Sequence, residues 1–134
     1  ENNPENYKFI IELAMLYMEY EKFEQAVTEL TKLANLPAEH KAPEFKRDRM
    51  RAFQLLSMCY RALFRPENAE MAIRLALSIE PNEPELHREM GYVYHALQRD
   101  REAAKAFEYY LSRTPAAQDA AELKEIIKHL IMEE

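Results

Sequence analysis

The segment that decides the fold is residues 90–115, which reads MGYVYHALQRDREAAKAFEYYLSRTP. Tyr94 precedes Ala103 by nine residues. The aromatic Phe107 follows four residues after this alanine, and Pro115 follows eight residues after Phe107. A small residue lies three positions before the tyrosine, and a large apolar residue lies directly before the small one. In chain order these markers are Met90, Gly91, Tyr94, Ala103, Phe107 and Pro115. Fixed offsets of this kind can be tested against the rest of the chain.

The same markers occur in two earlier copies. The distance from Tyr60 to Tyr94 is 34 residues, and the distance from Tyr17 to Tyr60 is 43, which is one such unit plus an insertion of nine. The first copy contains Leu13, Ala14, Tyr17, Ala26 and Leu30, and its last position holds Ala38, with Pro37 one place early. The second copy contains Leu56, Ser57, Tyr60, Ala69, Ile73 and Pro81. A recurring unit of this length predicts stacked copies of one supersecondary structure.

Each copy is expected to form two helices. Apolar residues at Ile10, Leu13 and Tyr17 have the i, i+3, i+7 spacing of one helix face. The alanine of the second half suits a close approach of the second helix to the first. Pro66 follows a predicted turn at Phe64 and fits the first turn of a helix, where its missing N–H has no partner to lose.

With these markers the chain resembles the tetratricopeptide repeat family, whose unit is a 34-residue helix–turn–helix. The resemblance implies an all-α fold, an α-solenoid in which the units form a short right-handed superhelix. The position that holds the family's tryptophan is a departure, because it contains Ile10, Phe53 and His87 here, and histidine is a poor core filler.

The register predicts a single domain over residues 1–134. Its repeats cover residues 7–40, 50–83 and 84–117, with an insertion at 41–49 and a C-terminal capping helix at 118–134. Repeat arrays need such a terminal helix, with a polar outer face, to cover the last exposed seam. We expect seven helices, at about residues 4–20, 23–36, 43–64, 67–79, 84–97, 101–113 and 117–132.

Composition excludes several classes of function. The single glycine argues against a phosphate-cradling loop or a dinucleotide fingerprint. The net charge of −6 argues against a nucleic-acid partner, and the longest apolar run, Leu13–Met18, is far shorter than the roughly 20 residues of a membrane span. Cys59 is the only cysteine, and it shares its repeat position with apolar residues, so we expect a core side chain. We therefore predict no catalytic residue, metal or cofactor.

In the family that the chain resembles, the first helices line a concave groove that receives a peptide. That resemblance places a run of Met15, Met58 and Tyr92 at the same depth in successive repeats. Basic side chains are expected around the run, and methionine suits adaptable binding surfaces. The predicted groove residues are Lys8, Met15, Arg51, Leu55, Met58, Arg61, Arg88, Tyr92 and His95. The alternative is that Met15 and Met58 are partly buried residues that pack under neighbouring helices.

Some relatives use this groove to clamp the acidic C-terminal tails of heat-shock chaperones with lysine, arginine and asparagine side chains. Of the matching positions here only Lys8 fits, while Leu55 and Glu89 do not. The carboxylates at these positions would repel an acidic tail, so we do not expect that ligand.

The middle third of the chain is basic, since residues 38–66 contain seven basic and three acidic side chains. The charge is concentrated in Lys41–Arg51, where Pro43 could begin a helix that continues into the second repeat. This segment is either a basic protrusion for an acidic partner or a solvated helix end partly neutralised by its own acids. Phe45 within it must pack against another residue.

These features predict a protein-interaction module that binds a partner segment in the groove, as a scaffold or adaptor. One alternative is a secretion-type chaperone that holds an unfolded substrate. Another is an accessory repeat domain of a larger enzyme, such as a transglutaminase-like protein, since the sequence opens with Glu1 rather than methionine. An exposed seam before Tyr7 would also permit self-association. The sequence does not identify the partner or the compartment.

Overall fold

The structure, a computed structural model, describes residues 4–36 and 43–132, and these residues form seven helices and no strand. The all-α class is therefore confirmed, and predicted helix boundaries differ from the observed ones by at most three residues. The end of the first predicted repeat, residues 37–40, and Lys41 lie outside the described residues. The helices are α1 (Pro4–Glu19), α2 (Phe23–Ala34), α3 (Pro43–Ala62), α4 (Pro66–Ile79), α5 (Pro84–Ala96), α6 (Asp100–Arg113) and α7 (Ala120–Met132).

The contacts divide the chain into two compact units, Glu1–Pro81 and Asn82–Glu134. In the first unit, α1 packs against α2, α3 packs against α4, and α3 also contacts both α1 and α2. In the second unit, α6 lies in contact with α5 and with α7. Each unit thus contains the paired helices that the sequence predicts.

The closest approach within the pair α5–α6 depends on Gly91. A Cβ atom built on this residue would lie 2.5 to 2.8 Å from ring atoms of Phe107, which is itself fully buried. The only glycine of the chain therefore contacts Phe107, the largest of the fully buried side chains among the described residues. The same two positions hold Ala14 and Leu30 in the first repeat and Ser57 and Ile73 in the second, all fully buried. The volume at one position is thus matched to the volume at the other, as close packing requires.

The turn between the two helices of a repeat has the same geometry three times. Its central residue is in the left-handed region, with φ of 59°, 61° and 63° at Glu21, Phe64 and Gln98. The next residue donates its N–H to the carbonyl of the repeat's tyrosine, at 2.8 Å for Lys22–Tyr17, 2.8 Å for Arg65–Tyr60 and 2.9 Å for Arg99–Tyr94. This is the hydrogen bond of a Schellman motif, which satisfies a carbonyl at the end of the first helix. A residue other than glycine costs about 1–2 kcal/mol in this conformation.

The insertion lengthens α3 toward its N-terminus. The helix begins at Pro43, as the sequence suggested, and Phe45 is 2% exposed. Its ring lies 5.4 Å from the ring of Tyr7 on α1, between centroids. The additional turns of α3 are therefore anchored to the first repeat by an aromatic contact.

In the second unit His87, at the position that the family fills with tryptophan, stacks on the ring of Tyr109. The ring centroid of His87 lies 3.9 Å from that of Tyr109 on α6, and the guanidinium of Arg113 lies 4.0 Å from the same tyrosine ring. A half-buried histidine thus contributes a flat aromatic surface at the position that the family fills with tryptophan.

We expect Gly91→Ala to lower the free energy of unfolding by about 1–2 kcal/mol. Overpacking costs about 1–3 kcal/mol, which outweighs the gain of up to about 1 kcal/mol from replacing a helical glycine. The measurement is urea unfolding of Gly91→Ala and Phe107→Leu, singly and together.

In the Phe107→Leu background, where the smaller side chain leaves room for a methyl group, Gly91→Ala should be neutral or stabilising. An equal effect of Gly91→Ala in both backgrounds would show that the two residues do not limit the approach of α5 and α6.

Candidate functional site

Six of the nine predicted groove residues lie on two helices that contact each other in the first unit. Lys8 and Met15 are on α1, and the other four are on α3. The remaining three are on α5 in the second unit. The α3 residues are Arg51, Leu55, Met58 and Arg61, and the α5 residues are Arg88, Tyr92 and His95.

The side chains in the first unit differ in how much surface they offer. Lys8 is exposed, Met15 is 41% exposed, and Met58 and Arg61 are half-buried. Arg51 is also half-buried, and its guanidinium donates a hydrogen bond to the side-chain oxygen of Gln54 at 3.2 Å.

Leu55 was predicted to line the groove, but its side chain is only 3% exposed. Its side chain belongs to the core and has almost no surface to offer a partner. The family's groove position is therefore occupied here by a packing residue.

On α5, Tyr92 and His95 keep part of their surface. The ring of Tyr92 lies edge-on to Phe107, with the centroids 5.0 Å apart, so the fully buried phenylalanine fixes its orientation. The side chain of His95 is 57% exposed, and its Nδ1 lies 3.9 Å from an oxygen of Asp100. Both side chains are available at the surface.

Arg88, another predicted groove residue, makes polar contacts within the second unit. Its guanidinium donates a hydrogen bond to Asp119 at 2.8 Å, and the hydroxyl of Tyr110 donates to the other oxygen of the same carboxylate at 3.2 Å. Asp119 directly precedes α7, and its carbonyl accepts the N–H of Leu123 at 2.9 Å. The guanidinium that was expected at a binding surface therefore ties the start of α7 to α5 and α6.

These contacts shift the pKa values of the three groups. Burial alone would raise the pKa of Asp119, but the hydrogen bonds from Arg88 and Tyr110 hold it below its ordinary value. Burial lowers the pKa of Arg88, but the hydrogen bond to Asp119 and the electrostatic attraction of Tyr110, Glu85 and Asp119 together outweigh it, so the net shift is upward. Burial raises the pKa of Tyr110. All three groups therefore keep their usual charges at neutral pH.

Glu89, an acidic residue at one of the family's clamp positions, is 4% exposed. Its repeat position is also that of Leu55, which is buried as well. The equivalent residue of the first repeat, Glu12, is exposed, so the repeat position alone does not indicate burial. Cys59 is fully buried, as predicted.

The basic segment at the start of α3 separates into exposed and packed parts. Lys46 and Arg47 are exposed, whereas the guanidinium of Arg49 lies 5.6 Å from the ring centroid of Phe53. Only part of the basic segment thus extends toward solvent.

Within the described ranges, 4–36 and 43–132, no group of three or more histidine, cysteine or acidic side chains could hold a metal ion. None of the helices in these ranges is both long enough and apolar enough to cross a membrane. An open cavity of about 450 Å³ lies in the second unit and is lined by Glu108, Leu111, Ser112, Pro115, Lys124 and Ile127.

Paired helices with matched contacts and one recurring turn define a helical-repeat protein. More particularly, the chain belongs to the tetratricopeptide repeat family, because the family's model matches residues 56–128, more than half of the chain. No curated protein sequence matches it.

Several solved structures share the fold at low identity. PcrH of Pseudomonas aeruginosa, solved with the chaperone binding region of PopD, has 16% identity and a TM-score of 0.79, covering 98% of this chain and 95% of that one. The Yersinia enterocolitica type III secretion translocator chaperone SycD has 14% identity and a TM-score of 0.79, covering 99% and 88%. The first repeat domain of Spaghetti (RPAP3), bound to an HSP90 peptide, has 21% identity and a TM-score of 0.76, covering 96% of each chain.

The contact between Asp119 and Arg88 predicts a pH-dependent contribution to stability. We expect Asp119→Asn to lower the free energy of unfolding by about 1–2 kcal/mol at neutral pH, because a charge-assisted hydrogen bond is lost. Since the folded pKa of Asp119 is lowered, this contribution is complete above the ordinary carboxyl pKa of about 4 and disappears as the pH falls through the folded value.

Urea unfolding of both proteins from neutral to acidic pH measures this difference. Glu108→Gln, which removes an exposed carboxylate of α6, is the matched control and should leave the stability almost unchanged. A difference between the parent and Asp119→Asn that stays constant with pH would contradict the assignment.

Proposed function

We propose that the chain binds a segment of another protein through the exposed face of α1 and α3, the first helices of its first unit. The observation that carries this proposal is the equivalence of Met15 and Met58, which occupy the same repeat position on two contacting helices and both retain exposed surface. Tyr92 holds that position on α5 and is also partly exposed. Concave surfaces built from equivalent positions are what helical repeats generally use for binding.

The chemistry of these positions favours a largely apolar segment as the ligand. Methionine is flexible and polarisable, so it adapts to apolar side chains of different shape. Arg61 lies on the same helix as Met58 and can donate to backbone carbonyls or to a carboxylate of the ligand. Because packed helices hold these side chains in place before binding, the entropic cost of association is reduced.

We do not propose the acidic tail of a heat-shock chaperone as the ligand. The family position for a polar clamp residue holds the buried Leu55, and the third repeat has an exposed carboxylate at Glu85. Binding of an acidic tail requires a positive charge at this position, and the carboxylate found there would repel the tail.

A secretion-type chaperone is a second candidate, and the fold that the chain shares with PcrH and SycD supports it. In this version the bound segment is an unfolded part of a secreted substrate. The role of an accessory repeat domain in a larger enzyme stays a prediction, and under it the chain would still act by binding.

The test begins with phage-displayed random peptides selected on the immobilised chain, and the best peptide is then titrated by calorimetry. Met58→Ala and Arg61→Ala should each weaken binding by about 1–2 kcal/mol, or roughly 5- to 30-fold, because each truncates an anchor of the proposed face. Met71→Ala is the matched control, since Met71 is an exposed methionine on α4.

Binding at the basic protrusion, the start of α3 with Lys46 and Arg47, would give the opposite result for the same peptide. If it is the binding site, Lys46→Ala combined with Arg47→Ala abolishes binding, and Met58→Ala has no effect. That result would exclude the proposed face, whereas selected peptides that are apolar and depend on Met58 would support it.

A further inference from the structure

Sulfur atoms lie both on the proposed binding face and in the core, and the two groups differ in their access to solvent. On α1, Met15 is 41% exposed, and Met18, three residues later on the same side of the helix, is half-buried. On α3, Met58 is half-buried. By contrast, Cys59 is fully buried and Met90 is only 5% exposed. Solvent therefore reaches the methionines of the face, whereas these two core residues are protected.

An accessible methionine is a site of reversible oxidation. A peroxide converts the thioether to a sulfoxide, and sulfoxide reductases reverse this change. The sulfoxide is polar, whereas the thioether is apolar and adapts its shape to an apolar ligand. Oxidation therefore removes the property for which methionine suits the proposed face.

We propose that Met15, Met18 and Met58 form an oxidation site that controls binding at this face, with hydrogen peroxide as the oxidant. The inference rests on the proposed function of α1 and α3. At each residue an S–O bond forms and the O–O bond of the peroxide breaks. The thioether thus loses two electrons, and the peroxide is reduced to water. The ligand's apolar side chains then meet polar sulfoxides, and the bound segment is released.

The positions of these methionines direct the effect to binding rather than to folding. Met15 follows the fully buried Ala14, and Met58 follows the fully buried Ser57, so the small residues at the helix contacts are not oxidised. In the second unit Tyr92 takes the equivalent position, and tyrosine forms no sulfoxide. Mild oxidation therefore leaves the packed helices intact and changes the surface that α1 and α3 present.

The experiment uses a peptide that was selected on the chain and that contains neither methionine nor cysteine. Calorimetry gives its dissociation constant before and after mild treatment of the chain with hydrogen peroxide, and mass spectrometry of proteolytic fragments locates the added oxygen atoms. We expect oxygen on the methionines of the face but not on Met90, and a rise of about tenfold or more in the dissociation constant. Methionine sulfoxide reductase with a thiol should restore the original value. Circular dichroism confirms that the oxidised chain is folded.

Two variants separate oxidation of the face from oxidation elsewhere. The face variant combines Met15→Leu, Met18→Leu and Met58→Leu. The matched control combines Met71→Leu and Met132→Leu, since Met71 on α4 and Met132 on α7 are 68% and 70% exposed. The measured quantity is the ratio of the dissociation constants after and before peroxide, so a different starting affinity does not affect the comparison. The ratio should be close to one in the face variant and about ten in the control.

Two kinds of failure are distinguishable. A parent chain whose dissociation constant does not change with peroxide, or an equal ratio in the parent and the face variant, would overturn the oxidation site while leaving peptide binding in place. A selected peptide whose binding does not depend on Met58 before oxidation would contradict the proposed function, and the oxidation site with it.

Discussion

The close packing of the two helices within each repeat is the constraint on which the rest of the structure depends. In the second unit, Gly91 leaves only enough space for the ring of Phe107, and the equivalent positions elsewhere hold Ala14 and Ser57. Because these contacts set how closely the helices approach, they also fix the rotation of each first helix about its axis. The side chains that the first helix exposes are therefore determined by the side chains that it buries.

The functional proposal follows from that fixed rotation. When Ala14 is buried, Met15 is directed away from the packed side of α1, and Ser57 and Met58 repeat this relation on α3. In the second unit Gly91 is buried, and the adjacent Tyr92 keeps exposed surface. In each repeat a small buried residue is thus followed by a large, partly exposed one. The packing of the small residue determines that the large side chain lies at the surface, where we propose that a partner binds.

The sequence predicted what depends on the repeat register and missed what depends on individual side-chain contacts. The helices, the turn at Phe64, the burial of Cys59 and the packing of Phe45 were all predictable, because each follows from an offset or from the hydrophobic effect. The contact between Arg88 and Asp119 joins residues 31 apart through side-chain geometry that no periodicity encodes. The burial of Leu55 was not predictable from its repeat position, because the equivalent residues are the glutamates Glu12 and Glu89.

The central claim is that a partner segment binds the first helices of the first unit at the position of Met15 and Met58. The most direct measurement is the change in backbone amide NMR shifts of the labelled chain when a selected peptide is added. We predict that the largest changes occur in α1 and α3 around those two residues. Changes confined to α2, α4, α6 and α7, or to Lys46 and Arg47 at the start of α3, would contradict it.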